Sequence, residues 1–230
     1  MSLIQDTKRF SAKRYSTKQV ILLCGFGGAI WQTKRLISVL NRAGYNVTAL
    51  DFPKRVLSEG NPTLLPQLVD EVVTFVESEA KKTNEKILLI GISLGSLLAL
   101  NIFRRSEYFD TAIMITGGNI VTVAQNIYGT KVWPQSHDKL SELWKEVNIF
   151  TEPGVLNGKR ALFVLPSRDK LIDTSEVLSE IAKQKEAGNS IQLVKRGLFS
   201  HTGTIIAETI LFPKRTLGYI KRVENPEHIH

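Results

Sequence analysis

The sequence predicts an α/β fold in which a mainly parallel sheet is flanked by helices. Two observations carry that prediction. Short apolar runs rich in β-branched residues alternate with longer stretches of helical period, the pattern of strands joined by helical crossovers. The chain has 230 residues, 43% of them hydrophobic, enough for a large core and suited to one domain over residues 1–230.

The strand candidates are residues 20–23, 47–50, 87–92, 112–116, 161–165 and 191–194, a minimum of six. Between the second and third, Gly60-Asn61-Pro62 marks a turn. After it Leu65, Leu68, Val69, Val72 and Val76 recur at helical spacing, with Asp70, Glu71 and Glu77 on the other face, as in an amphipathic surface helix. The stretch after Ser93 differs: Leu94, Leu97, Leu98, Ala99, Leu100, Ile102 and Phe103 leave hardly any polar face, so that helix is expected to be buried. Residues 119–158 break the alternation, with no strand pattern but with Tyr128, Trp133, Trp144 and Phe150. This segment reads as an insertion in which Leu140, Leu143, Trp144 and Val147 form the apolar face of a helix. Further on, Asp173-Thr174-Ser175-Glu176 has the form of a capped helix start.

The formal net charge is +8, and Lys8, Arg9, Lys13, Arg14 and Lys18, offset by Asp6, place half of it in the first 18 residues. That segment reads as a loose basic arm. No nucleic-acid motif accompanies it, so a solvated surface and no nucleic-acid partner are expected; contact with an anionic membrane stays open. No apolar run approaches the roughly 18 residues of a membrane span, and the polar, basic start lacks a secretory apolar region. A single cysteine, Cys24, rules out an internal disulfide and a multi-cysteine metal site. A cytoplasmic location is the expectation.

The chemistry is concentrated around Gly91-Ile92-Ser93-Leu94-Gly95. This Gly-x-Ser-x-Gly stretch follows an apolar strand and opens the buried helix, which is the strand–turn–helix context that gives the motif its meaning. The turn brings neighbouring backbones close, so the positions two residues either side of the serine must be nearly without side chain. The helix start beneath the serine favours negative charge developing during attack.

At these residues the chain resembles the α/β-hydrolase superfamily of serine esterases and lipases, over nearly everything from residue 19 to about residue 219. The resemblance implies an α/β-hydrolase fold with a short cap made by residues 119–158. It also implies a triad completed in chain order after Ser93, the nucleophile. Pro166-Ser167-Arg168-Asp169-Lys170-Leu171-Ile172 is similar to the family's acid loop, with Asp169 as the acid. Gly197-Leu198-Phe199-Ser200-His201 is similar to its histidine loop, with His201 as the base. The backbone N–H groups of Leu94 and Phe26 would form the oxyanion hole. Phe26 lies in Cys24-Gly25-Phe26-Gly27-Gly28, where many members have His-Gly in place of Cys24-Gly25. Trp133 and Trp144 become candidates to line the substrate site, and serve equally well as the insertion's own core.

Other readings of these residues remain. Asp173 competes with Asp169 for the acid but has a role as helix cap. His228 and His230 lie in a polar tail, and His137 precedes the insertion's helix. Cys24 at a strand end suits a small buried residue better than a nucleophile. Gly25-Phe26-Gly27 with Asp51 mimics a dinucleotide-binding unit, yet Ile30 stands where that unit needs a third Gly or Ala. The expected chemistry is hydrolysis of a small carboxylic ester or thioester through an acyl-enzyme, with no metal or organic cofactor. A catalytically silent protein holding an apolar ligand under the cap, and a non-hydrolytic activity such as carbon–carbon cleavage, stay open.

Overall fold

A computed structural model describes residues 2–25, 30–83, 87–148, 158–197 and 199–224. All six expected strands form: β2 (Gln19–Leu23), β3 (Asn46–Asp51), β4 (Ile87–Ile92), β5 (Thr111–Ile115), β6 (Arg160–Pro166) and β7 (Ser190–Arg196). A seventh, β1 (Asp6–Phe10), joins them in the order β1-β3-β2-β4-β5-β6-β7. Every pairing is parallel except β1 with β3.

The sheet separates two apolar layers because successive side chains along a strand point to opposite faces. Ile21, Leu23, Leu89, Met114 and Phe163 face α3 (Leu64–Ala80), α4 (Leu94–Arg105) and α7 (Thr174–Glu186). Leu22, Ile90, Ile113 and Leu162 face α1 (Lys34–Arg42) and α9 (Lys214–Glu224). Leu65, Leu68, Val69, Val72 and Val76 of α3 are all fully buried, and α4 is buried from Leu94 through Phe103, as their patterns predict.

The basic N-terminal segment is not the loose arm expected from its charge. Gln5 N donates to the Asp51 carbonyl (2.9 Å), Leu3 is buried, and Leu3 N donates to Glu71 Oε2 (2.7 Å). Lys8 pairs with Asp6 and Arg9 with Glu79, each at 3.1 Å, contacts that contribute little at the surface but show these cations partly neutralised. Asp-Thr-Lys-Arg-Phe forms an edge strand because it needs only one neighbour, β3, and edge positions favour charged side chains.

The chain leaves β2 for β3 on one side and β4 on the other. Ligands of open α/β sheets bind at such a reversal, outside the carboxyl ends of the strands. Ser93 follows β4 there, and Gly25 follows β2.

Removing residues 1–10 would expose the β3 edge and delete the buried Leu3 side chain, worth about 2 kcal/mol. A fall in Tm of about 4–8 °C, with concentration-dependent self-association from the open edge, is expected by calorimetry and light scattering.

Candidate active site

Ser93 stands between β4 and α4 with φ 53° and ψ −116°, a conformation that L side chains seldom adopt. Its N–H donates to the Ile115 carbonyl at 2.8 Å, and its carbonyl accepts from Ser96 N at 2.8 Å, so the strained residue is held on both sides. A Cβ on Gly91 would collide with the Gly95 carbonyl, and one on Gly95 with the Leu23 carbonyl. Both glycines are therefore required by backbone packing, as the motif predicts.

Ser93 Oγ lies 3.0 Å from His201 Nε2, and His201 Nδ1 lies 2.9 Å from Asp169 Oδ2. Asp169 follows β6; its other oxygen accepts from the N–H groups of Leu171 (2.7 Å) and Ile172 (3.2 Å), and the side chain is 0% exposed. Burial alone would raise this carboxyl's pKa. The hydrogen bond with His201, the two amides and the histidine's charge outweigh burial and hold it below the ordinary value. His201 opens α8 (His201–Ile206), capped by the Ser200 hydroxyl. Asp173, the rival acid, caps α7 instead, accepting from Ser175 N (2.9 Å) and Glu176 N (3.2 Å).

A buried ion pair missed in the sequence braces this corner. Arg196 at the end of β7 donates through Nε to Glu208 Oε1 (2.7 Å), and Glu208 is 0% exposed within the π-helical turn Ala207–Leu211 that continues α8. The end of β7 is thereby tied to the turn that follows α8.

Leu94 is the first residue of α4, where backbone N–H groups have no intrahelical acceptor. Phe26 lies outside the described residues. Gly25 runs beside the elbow: a Cβ there would sit 3.4 Å from Ser93 Cβ and 3.3 Å from the Ile92 carbonyl oxygen. Cys24 is buried; burial first, then the Asp51 charge, against a hydrogen bond with Thr33, pushes its thiol up to about 12. It is no nucleophile at neutral pH. Asp51 is buried and accepts from Phe52 N at 2.9 Å.

Trp133 and Trp144 pack edge to face, ring centres 5.0 Å apart, and both are fully buried. Their indole N–H groups donate to the carbonyls of Leu57 and Pro62, each at 2.9 Å. They pin α5 (Ile120–Val132) and α6 (His137–Leu143) to α2 (Arg55–Ser58) and the turn that precedes α3. Leu140 and Val147 join that core, whereas Leu143 is exposed. A cavity of about 20 Å³ beside Ser93 is lined by Leu57, Leu94, Leu97, Thr116, Gly118, Ile120, Val123 and Ile127. Neither tryptophan is among them; both belong to the apolar core that includes Leu140 and Val147. Phe150, His228 and His230 lie outside the described residues, and His137, half exposed at the start of α6, is placed near Thr122 and Ser141.

Thr116, at the end of β5, is the other non-glycine residue with positive φ (57°) among those described. It is 1% exposed, and its hydroxyl has no hydrogen-bond partner among the described residues. Such an orphan typically costs about 1–3 kcal/mol.

Gly95→Ala should cost about 3 kcal/mol, read by urea unfolding, because backbone must yield to admit the methyl. Asp169 is expected to contribute stability that is fully present above its unfolded value of about 4 and lost as pH falls through its depressed native value. Comparing acid unfolding of the native chain with Asp169→Asn checks this: the variant's profile should be flatter in that window.

Solved structures share this architecture. The esterase Pf2001 of Pyrococcus furiosus superposes with TM-score 0.63 at 20% identity, covering 90% of this chain and 84% of that one. TT1662 of Thermus thermophilus gives 0.69 at 13% identity, covering 94% and 92%. The acylaminoacyl peptidase of Pyrococcus horikoshii gives 0.68 at 11% identity; 94% of this chain is covered, but it spans only 39% of that longer protein. At these identities the likeness is one of fold. No curated protein matches the sequence. Residues 15–203 match the family model described as serine aminopeptidase, S33, most of the chain, which therefore belongs to that hydrolase family and has the α/β-hydrolase fold.

Proposed function

We propose that the protein is a serine hydrolase that cleaves a small carboxylic ester or thioester. The observation that carries this reading is the unbroken relay from Ser93 Oγ through His201 to the buried Asp169. Serine is a poor nucleophile until a base within hydrogen-bond reach takes its proton. In the proposed mechanism His201 Nε2 takes that proton as Ser93 Oγ bonds to the substrate carbonyl carbon. Asp169 holds Nδ1–H, keeping the tautomer that leaves Nε2 free and stabilising the imidazolium that forms. The Leu94 N–H, with that of Phe26, would bind the oxyanion. Collapse breaks the bond to the alcohol or thiol, which leaves with the proton from His201, and an acyl-Ser93 remains. Water, deprotonated by His201, then attacks the acyl carbon and releases the acid.

An ester is favoured over the aminoacyl substrates of an aminopeptidase by the cavity beside Ser93. Its described lining is apolar or uncharged, whereas a free α-amino group calls for an acidic partner. Residues 119–158 act in this proposal as a cap within one domain, supported by Ile120, Val123 and Ile127 in that lining. Among the described residues no helix is long and apolar enough to cross a membrane. A cytoplasmic location belongs to the same proposal, supported by the single unpaired cysteine.

Intact-mass spectrometry after exposure to a fluorophosphonate tests the machinery. One adduct is expected on the native chain and none on Ser93→Ala or His201→Ala, with esterase kcat lowered at least about 10³-fold in both. A folded native chain that takes no adduct would instead support a silent protein that binds an apolar ligand.

A further inference from the structure

We propose that the surface between α1 and the π-helical turn Ala207–Leu211 docks on an anionic lipid bilayer. That surface includes none of Ser93, Asp169 and His201, and the inference stands apart from the serine-hydrolase reading.

An open groove of about 450 Å³ runs there, lined by Arg35 and Arg42 of α1 and by Leu211, Phe212, Lys214 and Arg215. Arg35, Ser38 and Arg42 share one face of α1, since residues three and four apart in a helix lie on the same side. No acidic side chain lines the groove. Among the described residues, none of its four cations lies within ion-pair distance of a carboxylate. Glu208, in the turn itself, is fully buried and bonded to Arg196. The charge of this face is therefore uncompensated, unlike that of Lys8 and Arg9 in the N-terminal segment, which each meet a carboxylate.

Leu211 and Phe212 are 54% and 44% exposed. Exposed apolar side chains are ordinary when scattered singly, but these two are adjacent and share their groove with four cations. The backbone that presents them is firmly held. Phe212 N donates to the Ala207 carbonyl (2.8 Å), Thr209 Oγ1 to the Ile205 carbonyl (2.8 Å), and Arg35 reaches from α1 to the Ile210 carbonyl (3.3 Å). The Arg215 guanidinium lies over the Phe212 ring, 4.2 Å from its centre, so charge and apolar surface meet at one place.

This combination identifies the partner. Lipid phosphates satisfy the cations, at about fivefold in affinity for each, while Leu211 and Phe212 enter the boundary between headgroups and acyl chains. A bare polyanion offers no apolar phase to receive them. A second copy of the chain would set four cations against four. An anionic bilayer supplies both phases at one boundary, and stable attachment of a peripheral protein needs two such signals together.

Co-sedimentation of the full chain with vesicles tests this, comparing phosphatidylcholine alone with phosphatidylcholine containing about 30% phosphatidylglycerol. Partitioning to the anionic vesicles is expected to be at least about 100-fold stronger. It should collapse at about 1 M salt, where screening shortens the reach of charge to ~3 Å, a response that needs no variant. Arg42→Gln with Lys214→Gln should lose about 25-fold, and Leu211→Ser with Phe212→Ser at least about tenfold. Lys8→Gln with Arg9→Gln should stay within about twofold of the native chain. All six positions are exposed, so the variants are expected to keep the native fold. No preference for the anionic vesicles overturns the inference. So does binding that survives loss of Leu211 and Phe212, the mark of a bare polyanion site, or binding lost in the Lys8 and Arg9 variant instead. Ser93→Ala should bind vesicles as the native chain does while taking no fluorophosphonate adduct, so the bilayer contact and the hydrolase reading stand or fall separately.

Discussion

The architecture of the site depends on one crowded turn. For Ser93 to leave β4 and start α4 with φ 53°, the backbone of Gly95 must pass against the Leu23 carbonyl and that of Gly91 against Gly95. There is no room for a side chain at either place. This close approach brings the ends of β2, β4 and β5 together, since Ser93 N and Ser96 Oγ both bond to the Ile115 carbonyl. The strain at Ser93 is tolerated because α4 beneath it is buried almost all round, so the turn cannot relax without disturbing the core.

A parallel sheet supplies the remainder. Its six parallel strands, β2 to β7, end on the same side, so loops after β4, β6 and β7 meet although Ser93 and His201 are 108 positions apart in sequence. Each loop is anchored locally: Asp169 by two amides of its own turn, His201 by the Ser200 cap, and the β7 end by the buried Arg196–Glu208 pair. A relay of three side chains needs such anchoring, since an error of about 1 Å at any joint breaks a hydrogen bond.

The segment over residues 119–158 shows how composition and direction part company. Its tryptophans are apolar bodies with a polar N–H, and each finds a carbonyl on the chain before α3. They fasten α5 and α6 down from behind. The face of α5 that reaches the cavity carries the plainer residues Ile120, Val123 and Ile127, which no sequence signal distinguishes from ordinary core. Glu176, read as part of a capping arrangement, reaches across to Asn119 Nδ2 at 2.5 Å and joins α7 to the start of α5.

What the sequence by itself determined was everything governed by local pattern. The six apolar strands, the amphipathic α3, the buried α4 and the glycine pair at the turn follow from periodicity and from the space a backbone needs. Ser93 could be named from its Gly-x-Ser-x-Gly turn after a strand, and Asp169 and His201 from the resemblance of their loops to those of the α/β-hydrolase family. Only the tertiary structure decided matters that hang on distant neighbours. It paired the polar β1 with β3, gave Asp169 rather than Asp173 to the imidazole, packed Trp133 against Trp144 in the core, and left the Thr116 hydroxyl without a partner among the described residues. The physical reason is common to all four. A hydrogen bond or a packing contact between residues far apart in the chain is set by where the strands end in space, and no local pattern of residues encodes that position.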